Sequence, residues 1–174
     1  MLAYLITGNP GSGKSTLAVE LTRRGLIAVD TDELAFWAND AGIPADPPVD
    51  ADEHWRLAHR WVWSRERIEQ AIAQTADAGH SVFFCGIAQN QTEMLDLFEK
   101  VFLLAIDYDT QLARLALASR NASRDRTDAI KKQITDGRLA FQSQMLALAA
   151  IPLDATAPPH LIADRLLSHL AIPL

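Results

Sequence analysis

The run Gly8-Asn9-Pro10-Gly11-Ser12-Gly13-Lys14-Ser15 constrains this chain more than any other stretch. It fits the pattern G-x-x-x-x-G-K-[ST] at every fixed position. Glycines at 8, 11 and 13 let the backbone curl and turn its N–H groups toward one point, which suits phosphate oxygens. Lys14 has the reach for β- and γ-phosphates, and the Ser15 hydroxyl can ligate Mg²⁺. Asn9, Pro10, Ser12 and Thr16 complete the cradle. Such a loop needs a strand before it and a helix after it, because the positive end of the helix dipole faces the phosphates. Both are legible: an apolar run at residues 3–7, and an amphipathic stretch at about 13–23 that stops at Gly25. The implied ligand is a nucleoside triphosphate.

Beyond the loop, short apolar runs alternate with longer helix-like stretches, the signature of an α/β protein with a mainly parallel sheet. Strands are expected at residues 3–7, 26–29, 81–85, 101–106 and 150–153. Residues 101–106 are apolar throughout, as in a strand buried on both faces. Pro152 places the last strand at a sheet edge. Helices are expected over about 33–41, 51–78, from Thr110 with Asp109 as its cap, over 126–148, and from Pro158 or Pro159 onward. Within 51–78 the stripe is Leu57, Trp61, Ile68 and Ile72; within 126–148 it is Ile130, Ile134, Phe141, Met145 and Leu148. Pro44, Pro47 and Pro48 make residues 42–50 a loop.

Composition narrows the function. With 174 residues and 49% hydrophobic content the chain has enough apolar side chains for one packed domain and is not generally disordered. A net charge of −6 leaves no global positive field, so a non-specific nucleic-acid binder is not expected. The one cysteine, Cys85, excludes an internal disulfide framework and a cysteine-rich zinc site, and reads as a small buried strand-end residue. No apolar run reaches membrane-spanning length, and the first residues carry no basic leader, so the expected compartment is the cytoplasm.

The second expected strand ends in Asp30-Thr31-Asp32-Glu33. In an open α/β sheet, ligands sit beyond the carboxyl ends of the strands, so two carboxylates there can serve Mg²⁺ and a substrate hydroxyl. A helix N-cap would need only one of them.

At this point the chain resembles the small P-loop kinases: shikimate kinase, gluconate kinase and the nucleoside and nucleotide kinases. The resemblance rests on the phosphate loop, on Asp30-x-Asp32, on Gly86 after the third strand, and on Leu112-Ala113-Arg114-Leu115 leading into an arginine-bearing segment, Arg120 to Arg126. It also rests on Asp154-Ala155-Thr156-Ala157-Pro158 before the last helix. It implies a three-layer P-loop NTPase sandwich, with a five-stranded parallel sheet in order 2-3-1-4-5 and a small helical lid at about 119–128. It implies ATP and Mg²⁺ as cofactors and a small-molecule acceptor. By the same resemblance, Asp30 supports the Mg²⁺ shell with Ser15, and Asp32 is general base or substrate anchor. Arg120 and Arg124 close over the transferring phosphoryl group, Thr156 and Pro158 line the adenine pocket, and Gly86 lies against the substrate. Two departures stand out. The third strand ends without an acid, leaving Asp30 as the substitute, and the single Gly86 replaces the glycine triplet of shikimate kinases, which argues against shikimate.

The acceptor side is expected in a helical insertion at about 36–78 of one domain spanning 1–174. All four tryptophans fall within Trp37 to Trp63. Trp37 and Trp55 either stack on a planar acceptor or pack the insertion, while Trp61 reads as core. Arg56 and Arg60, four apart on an expected helix, either hold an anionic acceptor or form a solvated basic face. Gln89 offers an amide to a polar substrate; Asn90 reads equally as a helix cap. The spacing of His54 and His59 does not put them on one helical face, so they are not expected to bind metal.

The leading expectation is an ATP-dependent phosphotransferase acting on a hydroxyl or phosphate of a small molecule, as a monomer or homodimer. An ATP-binding regulator with slow hydrolysis is the alternative from another class; a guanine-specific switch is disfavoured because no N-K-x-D run occurs. A polynucleotide-end or antibiotic-modifying kinase is a further variant.

Overall fold

The structure, a computed structural model, describes residues 2–77, 80–117 and 128–170. Arg120, Arg124, Arg126 and nearly all of the expected lid lie outside them.

Five parallel strands form the central sheet: β1 (Ala3–Thr7), β2 (Ile27–Asp30), β5 (Val82–Cys85), β6 (Lys100–Ala105) and β7 (Ile151–Asp154). Their order is β2-β5-β1-β6-β7, which is 2-3-1-4-5 when only this sheet's strands are counted. Pro152, lacking an N–H, sits on the edge strand β7, opposite Leu103.

Alternating residues of β1 serve two cores. Tyr4 and Ile6 face α1 (Lys14–Arg23) and α7 (Pro159–Ser168), packing with Leu17, Leu21, Ile162 and Leu166. Ala3 and Leu5 face the other layer, with Trp63, Ile68, Phe84 and Met94. The sheet is therefore covered on both faces, the three-layer arrangement that all-parallel strands need.

The region between β2 and β5 departs from expectation. Instead of a helix over 33–41 there is a 3₁₀ turn, Thr31–Leu34, and then strand β3 (Ala35–Ala38). Instead of one helix over 51–78 there are α2 (Glu53–Leu57), β4 (Arg60–Trp63) and α3 (Arg65–Asp77). β3 and β4 pair antiparallel, with Trp37 opposite Trp61 and Ala35 opposite Trp63. The physical reason is cross-strand packing: Phe36-Trp37 and Trp61-Val62-Trp63 are strong strand formers once they meet. The stripe read across Leu57 and Trp61 was a coincidence of spacing, since Leu57 is 66% exposed and Trp61 lies on a strand.

Two smaller differences follow from local chemistry. The expected helix over 126–148 is split at Gly137 into α5 (Asp128–Asp136) and α6 (Arg138–Ala147). Helix α4 (Tyr108–Ala116) is capped by Asp107 rather than Asp109: the Asp107 carboxylate accepts from the Thr110 N–H at 2.8 Å and its hydroxyl at 2.6 Å.

Candidate functional site

The phosphate loop joins β1 to α1 at the carboxyl edge of the sheet. Gly11 and Gly13 adopt left-handed backbone, φ +88° and +98°, which side-chain-bearing residues take with strain. Gly8 is required for space: a Cβ there would lie 2.7 Å from Ser12 Oγ and 3.0 Å from the Leu104 carbonyl. The helix starts at Lys14, so the amides of Lys14, Ser15 and Thr16 belong to its first turn, which has no intrahelical acceptors for them. The Lys14 ammonium donates to the carbonyls of Gly8 at 2.6 Å and Asn9 at 3.2 Å, which holds it at the loop rim. Ser12 Oγ and Asn9 Oδ1 are buried inside the loop without a hydrogen-bond partner. Converging amides, an ammonium and an orphaned hydroxyl fit a polyphosphate.

Ser15 is exposed on the first turn of α1 and offers a hard oxygen suited to Mg²⁺. Among the described residues no group of three or more His, Cys, Asp or Glu forms a metal cage.

Asp30 ends β2. Its carboxylate accepts from the Asp32 N–H at 3.0 Å and so caps the 3₁₀ turn, and the residue is exposed. Asp32 is exposed in the first turn. Between them Thr31 is fully buried, its hydroxyl donating to the Cys85 carbonyl at 3.4 Å. Thr31 explains Gly86: a Cβ on Gly86 would lie 1.6 Å from Thr31 Oγ1. The glycine thus makes room for the threonine that fixes the two aspartates, a contact across 55 positions that no local signal announces. Cys85 packs beside them. Burial, then the negative charge of Asp30, push its thiol up to about 12, against the opposing pull of Lys14. It is an inert thiol, and both Asp30 and Lys14 act on it across the same edge.

On the far side of the loop lies a cleft of about 180 Å³ between α1, α4 and α7, whose walls include Thr16, Leu17, Arg114, Ala155, Ala157 and Pro159. Here the expected residues are each displaced by one position. Thr156 turns away, its N–H and hydroxyl both donating to Asp154 Oδ1 at 2.9 and 2.6 Å, and it borders a separate cavity with Asp107 and Gln142. Pro158 is the cap residue of α7, and the cleft wall is Pro159. The stretch after β7 is a turn, closed by the Ala157 N–H on the Asp154 carbonyl at 3.4 Å, and the Asp154 side chain draws Thr156 away from the cleft while Ala155 and Ala157 line it. Arg114 was within the expected Leu112-to-Leu115 motif but carried no assigned role. Its Nη1 donates to the Ser12 carbonyl at 3.3 Å, and it stands over the loop.

The region expected to take the acceptor holds the β3–β4 hairpin. Trp37 packs edge-on to Trp55, ring centres 5.5 Å apart, and tilts on Trp61 at 5.2 Å; Trp55 stacks on His59 at 3.9 Å. The rings therefore pack one another on a single hairpin face that continues into buried Trp63. Arg56 and Arg60 share no helix: one is in α2, the other on β4 opposite Ala38, on the face away from Trp61.

Three consecutive amides follow β5, and the first two moor this hairpin. Gln89 takes the Trp61 N–H on its side-chain oxygen at 2.8 Å, while its own N–H donates to the Trp61 carbonyl at 2.9 Å. Asn90 accepts from the Trp63 N–H at 2.9 Å and donates to the Trp63 carbonyl at 3.0 Å, imitating a strand partner. Gln91 accepts from the Thr7 hydroxyl at 2.9 Å, just before the phosphate loop. The Gln89 side-chain oxygen thus accepts from backbone, and the Asn90 side chain makes no cap hydrogen bond to the 3₁₀ helix that follows.

Comparison with known proteins agrees with this geometry. Residues 5–136 match the family AAA_18, described as an AAA domain. No curated protein matches the chain in sequence. Among solved structures, it is similar to shikimate kinase from Acinetobacter baumannii in complex with shikimate: TM-score 0.62, 17% identity, covering 98% of this chain and 94% of that one. It is similar to a sugar kinase from Janibacter sp. HTCC2649, with TM-score 0.55, 19% identity and coverage of 99% and 95%. It is also similar to deoxyadenosine kinase from M. mycoides with bound dATP, with TM-score 0.55, 13% identity and coverage of 98% and 100%. Among the described residues no helix is long and apolar enough to cross a membrane. With its phosphate loop, sheet order and matched span together, the chain belongs to the AAA domain family AAA_18, and its fold is that of the small P-loop kinases.

Proposed function

We propose that the protein is an ATP- and Mg²⁺-dependent phosphotransferase that moves the γ-phosphoryl group to a hydroxyl or phosphate of a small molecule. The observation that carries this reading is the Asp30–Asp32 pair, fixed by buried Thr31 at the same sheet edge as the Lys14 loop. A protein that only bound nucleotide would have no need of a second, outward carboxylate there.

The roles follow from position. The loop amides and Lys14 hold the phosphates and neutralise charge as it shifts during transfer. Mg²⁺ on Ser15, with Asp30 behind its water shell, would supply further charge neutralisation. Asp32 takes the proton of an alcohol acceptor; for a phosphate acceptor no base is needed. Arg120 and Arg124 would clamp the transferring group through their planar forks. The hairpin, with Trp37, Trp55, Arg56 and Arg60, would frame the acceptor.

The test is mass spectrometry of a pooled metabolite and nucleoside library after incubation with protein and Mg-ATP, with Lys14→Ala as control. A phosphorylated product present only with the unmutated protein is expected, and it identifies the acceptor. ATP bound but no product across a broad pool would defeat the transferase reading.

A further inference from the structure

From Gly8 to Gly13 every carbonyl of the phosphate loop accepts a hydrogen bond. Gly8 and Asn9 accept from the Lys14 ammonium, and Asn9 also from the Ser12 N–H at 3.0 Å. Gly13 accepts from the Leu17 N–H at 2.9 Å as α1 begins. The three carbonyls in between are held from outside the loop, by side chains of α4. Gln111 Nε2 donates to the Pro10 carbonyl at 2.9 Å, across 101 positions of sequence. Arg114 Nη1 donates to the Ser12 carbonyl at 3.3 Å and to the Gly11 carbonyl at 3.5 Å. The helix also packs on the loop directly: a Cβ on Gly11 would meet Leu115 Cγ at 3.4 Å and Gln111 Cγ at 3.5 Å.

Gln111 is the sharper case. It is fully buried, and its side-chain oxygen has no hydrogen-bond partner among the described residues. An orphaned buried acceptor costs stability, and an apolar side chain of similar length would fill the space without one. Packing alone therefore does not account for an amide here. What the amide adds is its donor, and that donor goes to Pro10. The reverse orientation of the amide would set acceptor against acceptor.

Peptide geometry carries this into the loop. In a planar trans peptide the C=O and the following N–H point in opposite directions. With the Pro10 and Ser12 carbonyls drawn to α4, the Gly11 and Gly13 N–H groups turn away from it. Neither N–H has an acceptor among the described residues. Glycine peptides rotate easily, and a rotated one would present its carbonyl to an anion.

Resting on the reading of this loop as a phosphate site, we propose that Gln111 is a positioning residue: by holding the Pro10 carbonyl against α4, it presets the Gly11 N–H for a phosphate oxygen. Arg114 does the same for the Gly13 N–H through the Ser12 carbonyl. Gln111 acts through the loop and not on the ligand, so polyphosphate affinity depends on it whatever base is attached. Donors fixed in advance need no reorganisation as charge develops, so the same bond serves transfer.

The experiment is calorimetry on the full chain with Mg-ATP and with magnesium tripolyphosphate, which has no base. Gln111→Met keeps the length and removes the donor. It is expected to weaken both probes in parallel by about tenfold, because the Pro10 carbonyl loses its partner. The melting temperature of the nucleotide-free chain should move by less than about 4 °C. Gln111→Leu, of different shape and equally without a donor, should give the same pattern. In proton–nitrogen correlation spectra, tripolyphosphate is expected to move the Gly11 N–H proton of the parent downfield, as a new hydrogen bond does, and that of Gln111→Met much less. Affinities of both variants within about twofold of the parent would overturn the proposal. A loss for Mg-ATP with tripolyphosphate unchanged would also overturn it. So would a loss accompanied in both variants by a fall of more than about 4 °C in melting temperature, which would make Gln111 a packing residue. If the parent binds neither probe, the phosphate reading of the loop fails, and this proposal with it. Parent binding that survives both substitutions defeats this proposal alone.

Discussion

The two ends of the sheet's carboxyl edge are built by different means. On the nucleotide side, the phosphate loop is one continuous run of residues, and its neighbours follow from the rules of strand, turn and helix. On the acceptor side, the hairpin is held by partners far away in sequence: Asn90 on Trp63, Gln89 on Trp61, Trp37 against Trp61. The first assembly is encoded in eight adjacent residues; the second exists only once the chain has folded. The nucleotide end should consequently fail through single chemical groups, and the acceptor end through lost packing.

The largest effect is expected at the loop. Lys14→Ala removes the ammonium that neutralises the phosphates, and phosphoryl transfer should fall by about a thousandfold. Thermal stability should fall far less than activity, because the Lys14 hydrogen bonds to the Gly8 and Asn9 carbonyls lie at the loop rim and not in the core. Turnover within tenfold of the parent would remove the loop from the chemistry. Next comes Asp32→Asn. With an alcohol acceptor, loss of the base should cost about a hundredfold to ten-thousandfold in kcat while ATP affinity holds. Near-normal turnover would exclude Asp32 as the base.

The acceptor side breaks differently. Gly86→Ala drives a Cβ to 1.6 Å from Thr31 Oγ1, so the buried threonine must move. A loss of about 1–3 kcal/mol in denaturant unfolding is expected, partly restored by Thr31→Gly in the same chain. No recovery in the double variant would show that the glycine matters for another reason. Asn90→Leu leaves both the N–H and the C=O of Trp63 without their side-chain partner inside the core, at about 1–3 kcal/mol. Since all four tryptophans lie in this region, intrinsic fluorescence reports the loosened hairpin directly. Nucleotide affinity should survive. A parallel loss of nucleotide binding would mean that the two sides are one cooperative unit.

This contrast also explains what the sequence made legible. The five sheet strands, the phosphate loop and the position of Pro152 follow from patterns of a few residues, and the strand order from the resemblance to the small P-loop kinases. The hairpin does not. Phe36-Trp37 and Trp61-Val62-Trp63 are separated by more than twenty residues, and Leu57, Trp61, Ile68 and Ile72 happen to match helical spacing. Only the pairing of the two aromatic runs decides for strand. Of the residues expected at the adenine pocket, Thr156 is drawn to Asp154 by the turn after β7, and the cleft beside the loop is lined by its neighbours Ala155 and Ala157, a placement set by the turn and not by local pattern. Arg114 was in view as part of a motif, yet its contact with the Ser12 carbonyl is a product of tertiary packing.

The smallest expected effect concerns how the nucleotide side is tied together. Glu20 on α1 accepts from Arg23 and from Arg24, and Arg24 reaches Asp164 at 2.7 Å and the His160 carbonyl at 2.9 Å on α7. Hydrogen bonds from Arg23, then Arg24, hold the Glu20 carboxyl down at about 2. A carboxylate with a depressed folded-state value contributes stability that is fully present above its unfolded value, about 4.3, and is lost as pH falls through the folded one. The melting temperature of Glu20→Gln should therefore lie slightly below that of the parent at pH 6, and the gap should close between about pH 4.3 and pH 2. The effect is small because such exposed pairs are screened by solvent. A gap that stayed constant to pH 2 would assign Glu20 a packing role without charge, and the seam between α1 and α7 would then rest on its apolar contacts and on the bonds of Arg24 to Asp164 and the His160 carbonyl.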